Sequence, residues 1–178
     1  MKKYTVLLIA LCGLGACDKK ENFSPEENTG VQIANQASIF ESKGSQQQWL
    51  LTAEAVDFAD LTKSTLKNPI LLLKKDNKDS VRVTGQSGSF DYEKKLIAIE
   101  GNAVIHSLTE QVVIATERFF YDIDKDLVWS DLKTTVTRGE AKAVARGGIE
   151  TDSKLAHIKL KQQTTRIPTH IDELKRPS

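Results

Sequence analysis

The chain has 178 residues and a formal net charge of +1, with 25 basic and 24 acidic side chains. This balance provides no global positive field, which excludes nonspecific nucleic-acid binding as the main activity. Both cysteines, Cys12 and Cys17, lie in the N-terminal segment, so we expect a conventional apolar core without disulfides to hold the folded domain.

The first sixteen residues are typical of a secretory signal. Lys2 and Lys3 form a basic start, and the apolar run at 4–14 is shorter than the roughly 20 residues needed to span a hydrocarbon core. The following Leu14-Gly15-Ala16-Cys17 is the pattern at which bacterial lipoprotein signals are cleaved. We therefore predict that residues 1–16 are removed and that Cys17 carries the lipid; an ordinary signal peptide is the alternative.

The remaining chain divides into three parts. Residues 17–30 are predicted to be the lipidated cysteine and a flexible tether, because Phe23 is the only large apolar side chain in the polar stretch that follows Cys17. Asp18 favours retention in the inner membrane in some Gram-negative groups, and an ordinary linker residue is the alternative. We expect residues 31–167 to form one domain and residues 168–178 a charged C-terminal tail.

Alternation of apolar and polar residues predicts β-strands through the whole domain. Residues 46–60 are ambiguous, because their Ala, Glu and Leu content favours helix while Trp49, Leu51 and Ala53 alternate as in a strand. The neighbouring pattern decides for a strand. The other short predicted strands are residues 37–41, 70–73, 81–87 leading into 90–92, 111–115, 119–121, 134–137 and 141–145.

The clearest strand pattern lies at residues 96–105. One face is apolar or small throughout, whereas the other is mixed, as in a half-buried strand. A polar turn precedes this strand at Leu96, and similar turn-and-strand units begin their strands at Leu127 and Leu155, spacings of 31 and 28 residues. This imperfect repeat favours stacked hairpins, and the whole pattern predicts an all-β sandwich, jelly roll or solenoid.

The apolar faces of these strands define a candidate interior. Its ten members are Ile97, Ile99, Ala103, Ile105, Val128, Leu132, Val136, Ala156, Ile158 and Leu160. Such a set either fills an ordinary core or leaves a groove for acyl chains, whose burial is favourable by about 0.8 kcal/mol per methylene. The pattern alone leaves both possibilities open.

No residue pattern indicates an enzyme. His106 and His157 lie at no metal-ligand spacing, and the aspartates at positions 122, 124 and 126 lack the glycine and glutamate of a calcium loop. The chain also lacks a G-x-S-x-G motif and a phosphate-binding loop. We therefore expect no catalytic residues, no metal and no cofactor.

Four features follow one another in a fixed order between Ala37 and Leu160. They are Gly44 with Trp49–Ala55 and Phe58; Asn68-Pro69-Ile70 with Gly85 and Ser89–Tyr92; Ile97-x-Ile99-x-Gly101-Asn102-Ala103; and Ile114-x-Thr116-x-x-Phe119-x-Tyr121 continuing through Val136 to Gly148. In this order they resemble the LptC family, the periplasmic component of the lipopolysaccharide export machine. No single motif is specific; the ordered series is.

The resemblance implies an antiparallel, twisted, open, V-shaped β-jelly roll with no enzymatic activity. At the periplasmic face of the inner membrane it would receive lipopolysaccharide from the membrane subunits of an ABC transporter, hold lipid A in its groove and pass it to LptA. Some family members use a transmembrane helix as an anchor, and here the lipid on Cys17 would replace it.

Open sheet edges would pair with partners edge to edge. Ser38, Ile39 and Phe40 would face the transporter, and Ile158 and Leu160 would face LptA. The alternative is an LptA-like or structural adaptor lipoprotein with a packed core and no lipid cargo.

Overall fold

The described chain is an antiparallel meander of strands. The computed structural model describes residues 33–58 and 60–166, which contain strands and turns but no helix. The strands are β1 (Ile33–Lys43), β2 (Gln46–Asp57), β3 (Lys63–Lys67), β4 (Ile70–Lys75), β5 (Lys78–Thr84), β6 (Ser87–Asp91), β7 (Leu96–Ser107), β8 (Val112–Asp122), β9 (Leu127–Ser130), β10 (Thr134–Arg138), β11 (Ala141–Ala145), β12 (Ile149–Asp152), β13 (Lys159–Leu160) and β14 (Gln163–Arg166). This confirms the predicted all-β antiparallel fold, including strand rather than helix for most of residues 46–60.

The chain passes back and forth across one line, and the strands on its two sides form two layers. Residues 49–52 of β2 pair with β4, whereas residues 55–57 pair with β3. In the same way β7 pairs with β6 through its first half and with β5 through its second half. Layer one consists of β4, β5, β10, β11, β14 and the adjoining halves of β1, β2, β7 and β8; layer two consists of β3, β6, β9, β12, β13 and the other halves.

The points at which the chain crosses from one layer to the other define a crossing line. They lie at residues 36, 53–54, 68–69, 85–86, 101–102, 116–118, 131–133, 146–148 and 161–162. Neighbouring crossing points contact each other: the Asn68 N–H donates to the Gln86 carbonyl, and the Gln86 N–H donates to the Glu100 carbonyl, both at 2.9 Å. Leu96 and Leu127 are 31 residues apart because two crossings return the chain to the same layer.

The prediction of a third repeat unit is wrong. Residues 153–158 form a turn and an irregular segment between β12 and β13, not a strand beginning at Leu155. The Asp152 carboxylate accepts hydrogen bonds from the N–H groups of Lys154 and Ala156, which turns the chain directly after β12. Leu155 has a left-handed φ of 56° and is buried in the core.

The alternation predicted from Val81 to Ser87 is also interrupted. β5 ends at Thr84, and the chain crosses to layer two at Gly85 and Gln86 before β6 begins. A Cβ atom at Gly85 would lie 2.6 Å from the Glu100 carbonyl oxygen, so glycine is needed where the crossing chain approaches β7. Strand β3 has no counterpart among the predicted strands, since Leu66 is its only apolar residue.

The turns before β7 and β9 use the same chemistry. Asp91 and Asp122 each end a strand, and each carboxylate accepts the backbone N–H of the lysine three residues later and pairs with its ammonium group. Lys95 and Asp126, directly before the next strand, have left-handed φ values of 48° and 50°. The repeated sequence pattern at Leu96 and Leu127 therefore reports a repeated turn.

We expect Asp122→Ala to destabilise the domain in a pH-dependent way. The side-chain hydrogen bond from Lys125 is the largest cause that lowers the pKa of Asp122. A carboxyl with a lowered folded-state pKa stabilises the fold above its unfolded pKa of about 3.9, and this contribution is lost as the pH falls through the folded-state pKa. The difference in unfolding free energy between wild type and variant, measured by urea denaturation, should be full at neutral pH and shrink in acid.

The exposed Glu117 supplies the control for this measurement. Glu117→Ala should change the unfolding free energy little, both at neutral pH and in acid. A difference for Asp122→Ala that stays constant from neutral pH to about pH 2 would contradict the role assigned to the carboxylate.

Candidate functional site

The space between the layers is a packed apolar interior. Trp49 of layer one meets Phe90 of layer two edge to face, with ring centroids 5.9 Å apart. Half of the ten candidate inward residues belong to this interior and are at most 1 % exposed: Ile97, Ile99, Ala103, Ile105 and Val128. Side chains from both layers therefore fill this space.

The packed interior leaves almost no free volume. A cavity lined by Ile97, Ile99 and Val128 measures about 10 Å³. A cavity needs about 10–15 Å³ to hold one water molecule, so the space has no room for an acyl chain in this arrangement. Hydrocarbon cargo in this part of the interior would require the two layers to move apart.

Four other candidate residues line an open cleft near the C-terminal end of the meander. This C-terminal cleft has a volume of about 240 Å³ and is lined by Val136, Arg138, Leu155, Ala156, Ile158 and Leu160. Val136, Ile158 and Leu160 are half-buried and pack against the core, whereas Ala156 is exposed. Apolar side chains therefore form most of the wall, which also includes Arg138, is reachable from solvent and is continuous with the interior.

A charged rim borders the C-terminal cleft. Arg138 is largely exposed, and its guanidinium lies 2.9 Å from the Glu110 carboxylate. Both residues lie at the free end of layer one, Arg138 at the end of β10 and Glu110 in the turn before β8.

Leu132, the tenth candidate residue, lies on the crossing line between β9 and β10 and is half-buried. Its N–H donates to the Ser130 hydroxyl at 3.2 Å, and its carbonyl accepts the Thr134 hydroxyl at 2.9 Å. Ser130 and Thr134 are both fully buried. The structure thus places Leu132 in the bend of the chain and outside the lining of either cavity described above.

A larger cleft of about 520 Å³ lies where the free ends of the two layers approach each other. Layer one contributes the β1–β2 hairpin and Lys74, and layer two contributes the β8–β9 turn with Ser153 and Lys154. We call it the mouth cleft. The sequence carries no signal for it, because its residues lie in turns whose proximity depends on how the layers fold over each other.

Two aromatic residues connect the mouth cleft to the core. Trp49 and Tyr121 are buried core members that also line the cleft. The Trp49 indole N–H donates to the Glu41 carboxylate at 3.0 Å, and the Tyr121 hydroxyl donates to the Asp126 carboxylate at 3.4 Å. Burial raises the pKa of Tyr121 far above its usual value, so the hydroxyl remains protonated and keeps donating.

The meander has two outer edges. Among the described strands, β1 pairs only with β2, β13 only with β12, and β14 only with β11. Ser38, Ile39 and Phe40 lie in β1, where Phe40 is 61 % exposed; Ile158 precedes β13 and Leu160 ends it. Both ends of the sheet therefore present backbone groups that no described strand covers.

Some sequence predictions fall outside residues 33–58 and 60–166. Cys17, the signal, the tether and the tail at 168–178 lie there. Within the described ranges, no three His, Cys, Asp or Glu side chains are grouped to hold a metal ion. No helix in those ranges is long and apolar enough to cross a membrane.

Comparison with known proteins gives one family match. A family model described as "Lipopolysaccharide-assembly, LptC-related" matches residues 5–170. Among solved structures, the chain is similar to LptH of Pseudomonas aeruginosa, described as the LptA homologous periplasmic component of the conserved lipopolysaccharide transport device. The identity is 9 %, the match covers 84 % of this chain and 90 % of that one, and the TM-score is 0.48. No curated protein matches the chain.

Proposed function

We propose that this chain, which belongs to the LptC-related family of lipopolysaccharide-assembly proteins, carries lipopolysaccharide between the two layers of its bent sheet. Family membership gives it a role in lipopolysaccharide transport. The proposal adds the route: without chemical conversion, the protein takes its cargo from the membrane subunits of the Lpt ABC transporter, holds lipid A and passes it to LptA. The C-terminal cleft supports this, since it is an apolar opening that continues into the interior.

Acyl chains suit such an interior because their binding needs apolar walls and little polar contact. Burying each methylene is favourable by about 0.8 kcal/mol. The 240 Å³ of the C-terminal cleft lies below the roughly 300–1,000 Å³ of ligand pockets, so several acyl chains require separation of the layers. Loading therefore exchanges contacts between the layers for contacts with the cargo.

The ion pairs of the described chain permit this separation. Ten of them, including Lys74–Asp79 in layer one and Lys95–Asp124 in layer two, stay within one layer or lie along the crossing line. Opening the layers about the crossing line breaks none of these ten. Apolar contacts are the interactions that opening would disrupt, and acyl chains can replace them.

The packed interior favours a second candidate function. A structural adaptor that recruits partners at the envelope needs a filled core and no cargo, and the cavity of about 10 Å³ fits that description. The two functions differ in whether lipopolysaccharide reaches the C-terminal cleft. A probe placed in that cleft separates them.

We expect a photo-crosslinking amino acid at Ile158 to form adducts with lipopolysaccharide in cells. Ile158 is half-buried in the C-terminal cleft, whereas a bulky probe at Ile99 or Val128, each 1 % exposed, would overpack the core at a cost of about 1–3 kcal/mol. The adjacent His157 is exposed and outside the cleft lining, so a probe there is the matched control. Adducts at neither position, in a folded protein, would favour the adaptor.

The two sheet edges are proposed to dock the partners by strand addition. Uncovered backbone groups of β1 would pair with the transporter, and those at β13 would pair with LptA. We expect a photo-crosslinker at the exposed Phe40 to capture a transporter subunit. Leu108, 50 % exposed in the turn between β7 and β8, is an apolar control away from both edges. Equal capture from both positions would contradict docking at β1.

The proposed location is the periplasmic face of the inner membrane, with the lipid on Cys17 as the anchor. The residues before the domain support this, because a basic start, an apolar run, small residues and a cysteine follow one another in the order that lipoprotein processing requires. The tether at residues 18–30 would then span about 20 Å on average as a flexible coil.

A further inference from the structure

We propose that the domain contacts the surface of the lipid bilayer directly through Leu61, an inference that rests on the proposed location at the membrane. Leu61 lies between β2 and β3 at the free end of layer two. Among residues 33–58 and 60–166, four large apolar side chains are exposed, and Leu61 is the most exposed of them at 94 %. A single exposed leucine is ordinary on a protein surface. The position of Leu61 and the turn that holds it distinguish this one.

Hydrogen bonds fix the turn that carries Leu61. The Asp60 carboxylate accepts the Thr62 N–H and the Thr62 hydroxyl, both at 2.8 Å, as in an Asx turn. The Thr62 carbonyl accepts the Tyr92 N–H at 2.9 Å, which ties the turn to the chain directly after β6. On the other side, Phe58 packs against the core. Leu61 therefore projects into solvent from a turn that is held in place.

The chain from the predicted anchor enters the domain at the same corner. Ile33, the first described residue, pairs with Asp57, the last residue of β2 before the segment that carries Leu61. Ile33 is itself 58 % exposed. Residues 18–32 lie between Cys17 and Ile33, and a flexible chain of this length spans about 20 Å on average. A lipid on Cys17 would therefore keep this corner within reach of the bilayer.

Charge does not supply the attraction at this corner. The Lys94 ammonium pairs with the Asp91 carboxylate at 2.7 Å, and Lys63 lies opposite Asp91 at the start of β3. Asp57 and Asp60 add two further acids, so the corner has no excess of lysine that would bind anionic headgroups. Burial of apolar surface must provide the contact, and full burial of a leucine side chain strengthens binding about tenfold to hundredfold.

A bilayer suits this corner better than a protein partner does. A stable protein interface buries about 800 Å² on each partner with matched shapes, whereas Leu61 and Ile33 project among charged side chains. The headgroup layer has no fixed shape, and apolar side chains of interfacial segments enter it by about 5–10 Å. The β1 edge at Phe40 belongs to layer one, so a partner can pair there while Leu61 of layer two meets the lipid.

The test locates a fluorescent probe on Leu61→Cys in the purified lipidated protein. The predicted maturation leaves no free thiol, so the new cysteine is the labelling site. In vesicles of phosphatidylethanolamine and phosphatidylglycerol, lipids spin-labelled near the headgroup should quench this probe at least about twofold more than a probe on Leu108→Cys. Leu108 is the matched control, an exposed leucine at the free end of layer one. Vesicles of phosphatidylcholine alone should give the same ratio.

Flotation of the vesicles separates failure of the anchor from failure of the contact. If the protein does not float with them, the proposed location fails and the contact fails with it. If it floats but the two probes are quenched alike, the anchor stands and the contact is overturned. Stronger quenching at Leu61→Cys only with phosphatidylglycerol would assign the contact to charge, and a rise in emission only with the transporter subunits would assign it to a protein. Either result overturns the apolar contact.

Discussion

Gly148→Ala should prevent the domain from folding stably. A Cβ atom at this position would lie 1.9 Å from the Ser130 carbonyl oxygen and 2.6 Å from its carbonyl carbon. Both atoms are backbone, and Ser130 is held in the ladder between β9 and β12, opposite Ile149. Neither chain can retreat without breaking that ladder, so we expect a loss above about 4 kcal/mol, in the range of the most damaging single substitutions.

Gly44→Ala separates this steric effect from the backbone conformation. Gly148 and Gly44 both have left-handed φ values, 84° and 64°, but an added Cβ at Gly44 would meet no atom within 4 Å. Gly44→Ala should therefore cost only the left-handed penalty of about 1–2 kcal/mol. Urea denaturation followed by circular dichroism measures the stability of both variants. Similar midpoints for the two would show that the contact of the added Cβ with Ser130 does not contribute to the loss of stability.

Cys17→Ser should abolish lipid attachment and leave residues 1–16 on the chain, because the predicted cleavage pattern ends in Cys17. If Cys17 carries the lipid, its acyl chains supply about 0.8 kcal/mol per buried methylene, and two or more chains give stable anchoring where one gives only marginal binding. Serine at this position cannot be modified through a thioether. Labelling of cells with a radioactive fatty acid measures the lipid, and immunoblotting measures the size of the chain.

Cys12→Ser is the matched control for the anchor, because the prediction places Cys12 inside the segment that is removed. That variant should be labelled and cleaved like the wild type. Labelling and cleavage of Cys17→Ser would contradict the prediction that Cys17 carries the lipid. Loss of the label from both variants alike would also reject a specific role for Cys17.

Local patterns allowed the strands to be predicted where one face is clearly buried. β7 was predictable because its inward positions, such as Ile97 and Ile105, are all apolar or small. The prediction of a strand for β2 was correct although its Ala and Glu residues favour helix. Burial of alternate residues, Trp49 and Leu51 among them, outweighs that preference.

The crossing points could not be predicted in the same way. Gly85 and Asn68 look like ordinary turn residues in the sequence, and only the close approach of a neighbouring pass shows why the chain bends there. The prediction of a third repeat unit failed for a related reason: Asp152 binds the N–H groups two and four residues later, whereas Asp91 and Asp122 bind the one three residues later, and Leu155 then lies outside a strand. The mouth cleft depends on both effects, since turns from distant passes line it.

Because each pass of the meander pairs only with the pass before it and the pass after it, nothing in the fold sets its overall length. Deletion or insertion of one out-and-back unit would shorten or extend the space between the layers while leaving its cross-section the same. The length of the meander can therefore be adjusted in evolution, or by design, independently of the width of the space between its layers. A fold that closed on itself would have to change both together.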